Sequence, residues 1–144
     1  MSEEVKVSKK IAEGQLKDFL KKWRIRDSKS ILTGGKQSSI PADVKEPVLV
    51  AIMLGDLVFD PSNGNPIFKA VVEGEADPVK VRFCRKCKGH NLRDLSGGGD
   101  SDANMADFTM SMISAMTGTA TAELEQFDMA DVQVLMGIAS IINL

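Results

Sequence analysis

The stretch LVFDPSNGNPIFKAVVEGEADPVKVRF, residues 57–83, decides the fold class. Leu57-Val-Phe59 is short and apolar, and it runs into Asp60-Pro-Ser-Asn-Gly-Asn-Pro66, a cluster of residues that favour turn conformations. Ile67-Phe-Lys-Ala-Val-Val72 is the second apolar run, and Gly74–Pro78 turns the chain again. Val79-Lys-Val-Arg-Phe83 alternates with period two, which places Val79, Val81 and Phe83 on one face. Three short strands with turns this tight predict an antiparallel meander with one buried face.

Upstream of the meander the pattern is helical. Pro41 suits the start of a helix over roughly 42–54, and Gly55 suits its C-terminal cap. Val44, Val48, Ala51 and Ile52 form its expected inward face. Val48–Leu54 is also a continuous apolar run, so a strand stays open there. Residues 27–41 read as loop, punctuated by Gly34-Gly35 and Ser38-Ser39. Thr33-Gly-Gly-Lys36 lacks the spacing of a phosphate loop, and no buried strand precedes it. Before it, Ser8 opens a basic helix over 8–26. Ile11, Gln15, Phe19 and Trp23 share one side of it with Leu16 and Leu20 next to them, and lysines cover the other side.

Downstream, Ser96-Gly-Gly-Gly-Asp100 reads as a flexible connection. Asp100, Ser101 or Asp102 can cap a helix over 102–117, in which Met105, Phe108, Met112 and Met116 recur at helical spacing until Gly118 stops it. A short turn or helix around Leu124 and Phe127 leads to a last helix over 128–143, with Asp128 as its cap and Asp131 in its first turn, where negative charge suits the helix dipole. Val132, Leu135, Ala139 and Ile142 make one stripe of that helix, and Val134, Ile138 and Ile141 make a second. A helix apolar on so many sides is buried, either in this chain or in a partner. The expected fold is α+β: a small antiparallel β meander flanked by an N-terminal helix and a C-terminal helical pair. The expected segments are a basic helix and loop over 1–46, a helix plus meander over 47–99, and an acidic, Met-rich helical unit over 100–144.

Charge follows this division. The net charge is −2, but residues 1–46 carry +4, residues 47–99 carry +1, and residues 100–144 carry −7 with no Lys or Arg. One arm of +4 is too weak a signal for nucleic-acid binding. The polar start and the lack of a long apolar run argue against secretion and against a membrane span. Two cysteines three positions apart cannot staple a fold, so a reducing cytoplasm is the expected setting.

Chemistry is thinly supplied. Cys84-Arg-Lys-Cys87 with His90 has zinc-knuckle spacing, but Cys84, Cys87 and His90 make three ligands where a structural zinc takes four, and the chain has no other Cys or His. The adjacent Arg85, Lys86 and Lys88 would lower thiol pKa values, yet the βαβ setting of thioredoxin-type redox sites is missing. No nucleophile with a base beside it is visible, and the acidic pairs Glu123/Glu125 and Asp128/Asp131 sit at helix starts, where capping explains them. Catalytic residues, cofactors and metal are therefore expected to be absent. What the chain does offer is a stripe for a partner: Phe108, Met112, Met116, Val134, Leu135, Ile138 and Ile142. Methionine repacks readily around varied partners, and six of the eight Met lie at or after residue 105.

The order of these pieces resembles a known family. Val50-Ala-Ile-Met-Leu-Gly-Asp-Leu-Val-Phe-Asp-Pro-Ser-Asn-Gly-Asn-Pro-Ile67 looks like the corresponding passage of the tail assembly chaperones of Mu-like contractile-tail phages. Val79–Phe83 resembles one of their strands, and Gly89-His-Asn-Leu-Arg-Asp-Leu95 resembles the segment that follows it. Met112-Ile-Ser-Ala-Met-Thr-Gly118, Ala122–Asp131 and Val134–Ile142 are similar to their C-terminal pattern. The likeness covers residues 48–144. The basic helix 8–26 and the Cys84/Cys87 pair lie outside it, and the Ile-Ile-Asn-Leu ending differs from the Phe-containing tail of many relatives. The resemblance implies no catalytic residue. It implies a chaperone in the host cytoplasm that holds the long helical tape measure protein, or other tail proteins, soluble before the tail tube polymerises. Self-association into a homo-oligomer is left open, as are two other roles: a tail or baseplate subunit kept in the virion, and a zinc-dependent adaptor.

Overall fold

The computed structural model describes residues 5–84, 86 and 101–144, with side chains from 108 onward in the last stretch. Its elements are α1 (Lys9–Lys22), α2 (Ser28–Thr33), α3 (Ala42–Leu54), β1 (Leu57–Phe59), β2 (Pro66–Ala70), β3 (Val79–Arg82), α4 (Ser101–Thr117), α5 (Thr121–Leu124) and α6 (Met129–Ile142). The architecture is α+β.

The sheet is an antiparallel meander in the order β1-β2-β3. Leu57 lies opposite Phe68, and Phe68 lies opposite Val81. These three side chains form one row across the sheet, and all are buried. Ala70 and Phe83 extend that buried face. The alternation of strand side chains makes this the core face, while Val58, Lys80 and Arg82 point the other way. The 60–65 turn holds itself together. The Ser62 amide donates to Asp60 Oδ1 (2.8 Å), the Asn65 amide donates to Asn63 Oδ1 (2.9 Å), and the Gly64 amide donates to the Asp60 carbonyl (2.7 Å).

The helix on α1 begins where Ser8 predicts, with Ser8 Oγ accepting from the Ile11 amide at 3.3 Å. Its buried stripe is Ala12, Leu16 and Phe19, and Ile11 is 56% exposed. The inward side is thus turned by one residue from the Ile11–Gln15–Phe19 reading, because the small Ala12 permits a close approach of α1 to its neighbours. The helix stops at residue 22 instead of 26. Arg24 takes a positive φ of 52°, and the Ile25 amide bonds back to the Leu20 carbonyl (2.9 Å), a left-handed stop usually given to glycine. Trp23 then reaches the β1–β2 turn: its Nε1–H donates to the Gly64 carbonyl at 3.3 Å. The Phe19 ring lies between Trp23 and Phe59, with centroids 5.5 and 5.2 Å away.

The 42–54 segment is helix, not strand, with Pro41 as N-cap and Gly55 as a left-handed C-cap. Val48, Leu49, Ala51 and Ile52 are buried there and Val44 is half-buried. Pro47, in the second turn, has no amide to give the Asp43 carbonyl. The segment read as loop contains the one-and-a-half-turn helix α2.

The C-terminal helices are joined to the rest, because one hydrophobic cluster runs through α1, α3, the sheet, α4 and α6. One close approach is at Gly137 on α6. A Cβ placed there would lie 3.0 Å from Val48 Cγ2 and 3.2 Å from the Val44 carbonyl oxygen. On the other side of the core, the Cys84 amide donates to the Met116 carbonyl at 2.9 Å, which ties α4 to the end of β3.

Candidate functional site

The structure sorts the expected partner stripe by burial. Met116, Val134, Leu135, Ile138 and Ile142 are buried in the core of this chain. A partner reaches them only if the helices separate. Phe108 and Met112 are half-buried at the surface of α4. Asn143 fastens the sulfurs: its Nδ2 donates to Met112 Sδ at 3.3 Å and to Met116 Sδ at 3.6 Å. The side of α6 that remains open carries Met129, Gln133, Met136 and Ser140, spaced at four, three and four residues, all exposed. Met129 is 70% exposed and Met136 is 39% exposed. The accessible methionines of the last helix are therefore not the residues its periodicity singles out. Periodicity shows that α6 is apolar nearly all round. It cannot say which side neighbouring helices leave uncovered.

Between α3 and α6 lies a cleft of about 270 Å³, lined by Asp43, Val44, Pro47, Gln133, Met136 and Gly137 together with Ser140. Gly137, packed closely against Val48 and Val44, and Pro47, which has no amide, both border it. Among the described residues its α6 side is uncharged, and Asp43 on α3 is the one charged residue that lines it. Asp131, half-buried at the start of α6, is held above the ordinary carboxylate range, first by burial and then by the nearby charges of Asp128 and Asp56; a hydrogen bond from the Val71 amide opposes the rise. Asp128 is the N-cap of α6, but its side chain makes no capping hydrogen bond.

A second surface lies in the segment read as featureless loop. Ile31 and Leu32 on α2 are 72% and 84% exposed. The loop beneath them is built around buried Asp27. Asp27 Oδ1 accepts from the Ser30 amide (3.1 Å) and the Ser39 amide (2.6 Å), and Oδ2 accepts from the Ser38 hydroxyl. Ser39 Oγ accepts from the Lys29 amide (3.0 Å), and Gly34 closes α2 in the left-handed conformation. Burial alone would raise the Asp27 pKa, but the bonds from Ser38, Ser39 and Ser30 outweigh it and hold the carboxyl below its usual range. The only signal in the sequence was a pair of adjacent aliphatics among Ser, Lys and Gly.

The metal candidates are only partly in view. Cys84 is exposed, with Sγ 3.5 Å from the Arg82 carbonyl. Cys87 and His90 lie outside the described residues, as do the Gly89–Leu95 segment and the 96–100 connection. Among the described residues, no three His, Cys, Asp or Glu converge as a metal site. Among them too, no helix is long and apolar enough to cross a membrane. Compared with protein-family models, with curated proteins and with solved structures, the chain matches none of them.

Proposed function

We propose that this chain is a phage tail assembly chaperone that binds the tape measure protein in the host cytoplasm and keeps it soluble while the tail forms. The reading rests on the ordered likeness of residues 48–144 to that family. The physical observation that carries it is the character of the C-terminal helices: acidic, without a single Lys or Arg, and offering Phe108, Met112, Met129 and Met136 at or near the surface. A long amphipathic helix aggregates when its apolar side is bare. Methionine side chains cover such a side without demanding one register, and the acidic surroundings favour basic flanks. The role is binding, and no group of described residues is assigned to catalysis.

Coexpression with fragments of the tape measure protein tests this. The expected result is that the wild-type chain raises the soluble yield of a fragment and is captured with it. Met112→Asp and Met129→Asp are expected to lower capture while circular dichroism stays unchanged. No gain in solubility, or equal capture by both folded variants, would refute the reading. Mass spectrometry of purified virions supplies a second check: stoichiometric copies in the finished particle would make the chain a structural tail subunit instead.

A further inference from the structure

We propose that the hollow between the end of α1 and the β1–β2 turn binds a small phosphate monoester that carries a flat aromatic group, as a nucleoside monophosphate does. The hollow measures about 300 Å³ and is lined by Lys22, Trp23, Asn63, Asn65, Cys84 and Lys86. That is the lower end of the size range of small-ligand sites. Among the described residues its lining supplies two ammonium groups, two carboxamides and an indole, and no carboxylate. A lysine ammonium binds phosphate as a point charge, and an aromatic side chain gives a base a face to stack on.

What separates this hollow from a chance pair of surface lysines is that its groups are held in place. With no side chain at Gly64, the Lys22 stem lies close over the turn: a Cβ there would come within 2.7 Å of Lys22 Cδ. The Trp23 indole donates its Nε1–H to the Gly64 carbonyl at 3.3 Å, and the Phe19 ring supports it with its centroid 5.5 Å away. Lys86 Nζ donates to the Arg24 carbonyl at 3.3 Å, which brings the chain after β3 back to the end of α1. Arg24 itself holds a left-handed φ of 52°. That conformation costs a residue with a side chain some energy, and such outliers gather at ligand sites. Groups already fixed lose little freedom when a ligand arrives. Trp23 is half-buried and both lysines are exposed, so ring and charges are reached from solvent. Neither α4 nor α6 lines the hollow, so the inference does not rest on the proposed client.

Titration of the nitrogen-labelled full chain with AMP tests it, read by NMR at the indole N–H signal of Trp23, the single Trp of the chain. AMP is expected to move that signal with a Kd of about 0.1–1 mM, as suits an open site. Ribose 5-phosphate, which lacks the ring, and adenosine, which lacks the phosphate, are each expected to bind about fivefold more weakly or worse. Lys22→Gln and Lys86→Gln are each expected to weaken AMP binding by about fivefold or more, because each removes one of the two charges that face the phosphate. Lys10→Gln, on the same helix as Lys22 but outside the lining, is expected to leave the Kd within about twofold of wild type. All three positions are exposed, so wild-type circular dichroism is expected throughout. An indole signal that AMP does not move at about 10 mM, wild-type affinity for ribose 5-phosphate or adenosine equal to that for AMP, or a loss in Lys10→Gln as large as in Lys22→Gln would each overturn the proposal.

Discussion

Gly137 offers the sharpest test of how the C-terminal helices join the core. It sits inside α6, where replacing glycine by alanine ordinarily stabilises a helix by about 1 kcal/mol. Here the new methyl would meet Val48 Cγ2 at 3.0 Å and the Val44 carbonyl oxygen at 3.2 Å. Carbon atoms in good contact stand about 3.5–4.0 Å apart. The shortfall is at least about half an ångström against a side chain that is 1% exposed and has nowhere to swing. The second neighbour is backbone, so relief there requires α3 and α6 to separate. Overpacking of this kind costs about 1–3 kcal/mol. Set against the helix gain, Gly137→Ala is expected to be neutral to about 2 kcal/mol destabilising, where an open helix position would gain.

A double-mutant cycle separates the two effects. Val48→Ala removes two buried methyls and is expected to cost about 2–3 kcal/mol. It also removes Cγ2, the nearer of the two obstacles. In that background Gly137→Ala should cost about 1 kcal/mol less than in wild type, a coupling of the size seen for residues in contact. Urea unfolding followed by Trp23 fluorescence measures all four proteins, and an unchanged m-value confirms that midpoints report stability. If Gly137→Ala is more stable than wild type, or if the two changes add without coupling, the helices do not meet where the structure puts them.

Two carboxylates give opposite pH signatures. Asp27→Ala removes an N-cap and the acceptor that organises the 27–39 loop, and is expected to cost about 2–3 kcal/mol at neutral pH. The wild-type Asp27 pKa is lowered in the fold, so its contribution is present above the ordinary carboxylate range and is lost as pH falls through the folded value. The wild-type advantage over Asp27→Ala should therefore shrink in acid; a difference constant from neutral pH down to acid would contradict the network. The Asp131 pKa is raised, so the fold binds its proton more tightly than the unfolded chain does. Stability attributable to Asp131 falls as pH rises from the ordinary carboxylate value of 3.8 through the raised folded value. Asp131→Asn is expected to remove that slope, leaving a variant more stable than wild type at neutral pH and close to it in acid. Thermal unfolding across that range checks this, and a variant less stable at neutral pH would show that helix-dipole attraction outweighs burial and the charges of Asp56 and Asp128.

Turn chemistry and alternation made the meander legible. Asp60–Pro66 can do little but turn, and Val79/Val81/Phe83 can bury only one side of a strand, so the three strands follow from local rules, and the pairing then sets Leu57, Phe68 and Val81 in one row. Pro41 and Gly55 bounded α3 for equally local reasons. Where these rules weaken, the reading drifted. The α1 face turned by one position because a small Ala12 packs more closely than Ile11 does, and the end of α1 moved because Arg24 accepts a conformation normally left to glycine. Neither choice is visible without the neighbours that impose it. The 27–41 segment looked like loop because a six-residue helix has almost no period to detect. What makes it rigid is one carboxylate reaching residues as far along the chain as Ser39.

The candidate surface shows why function was less legible than fold. On a helix such as α6, residues of one chemical class have two fates. Leu135 and Ile138 close the core, while Met129 and Met136 face outward. All four read as apolar along the chain. What separates them is where α3 and α4 happen to lie, which is a property of the packed whole. The cleft at Gly137 follows the same logic. One missing side chain draws α6 close to α3 at Val48, and beside that close approach the outward-facing Met136 and Pro47 leave a hollow. The close approach at Gly137 thus secures the C-terminal helix to the core, while the cleft beside it is shaped by the side chains of Pro47, Gln133, Met136 and Ser140.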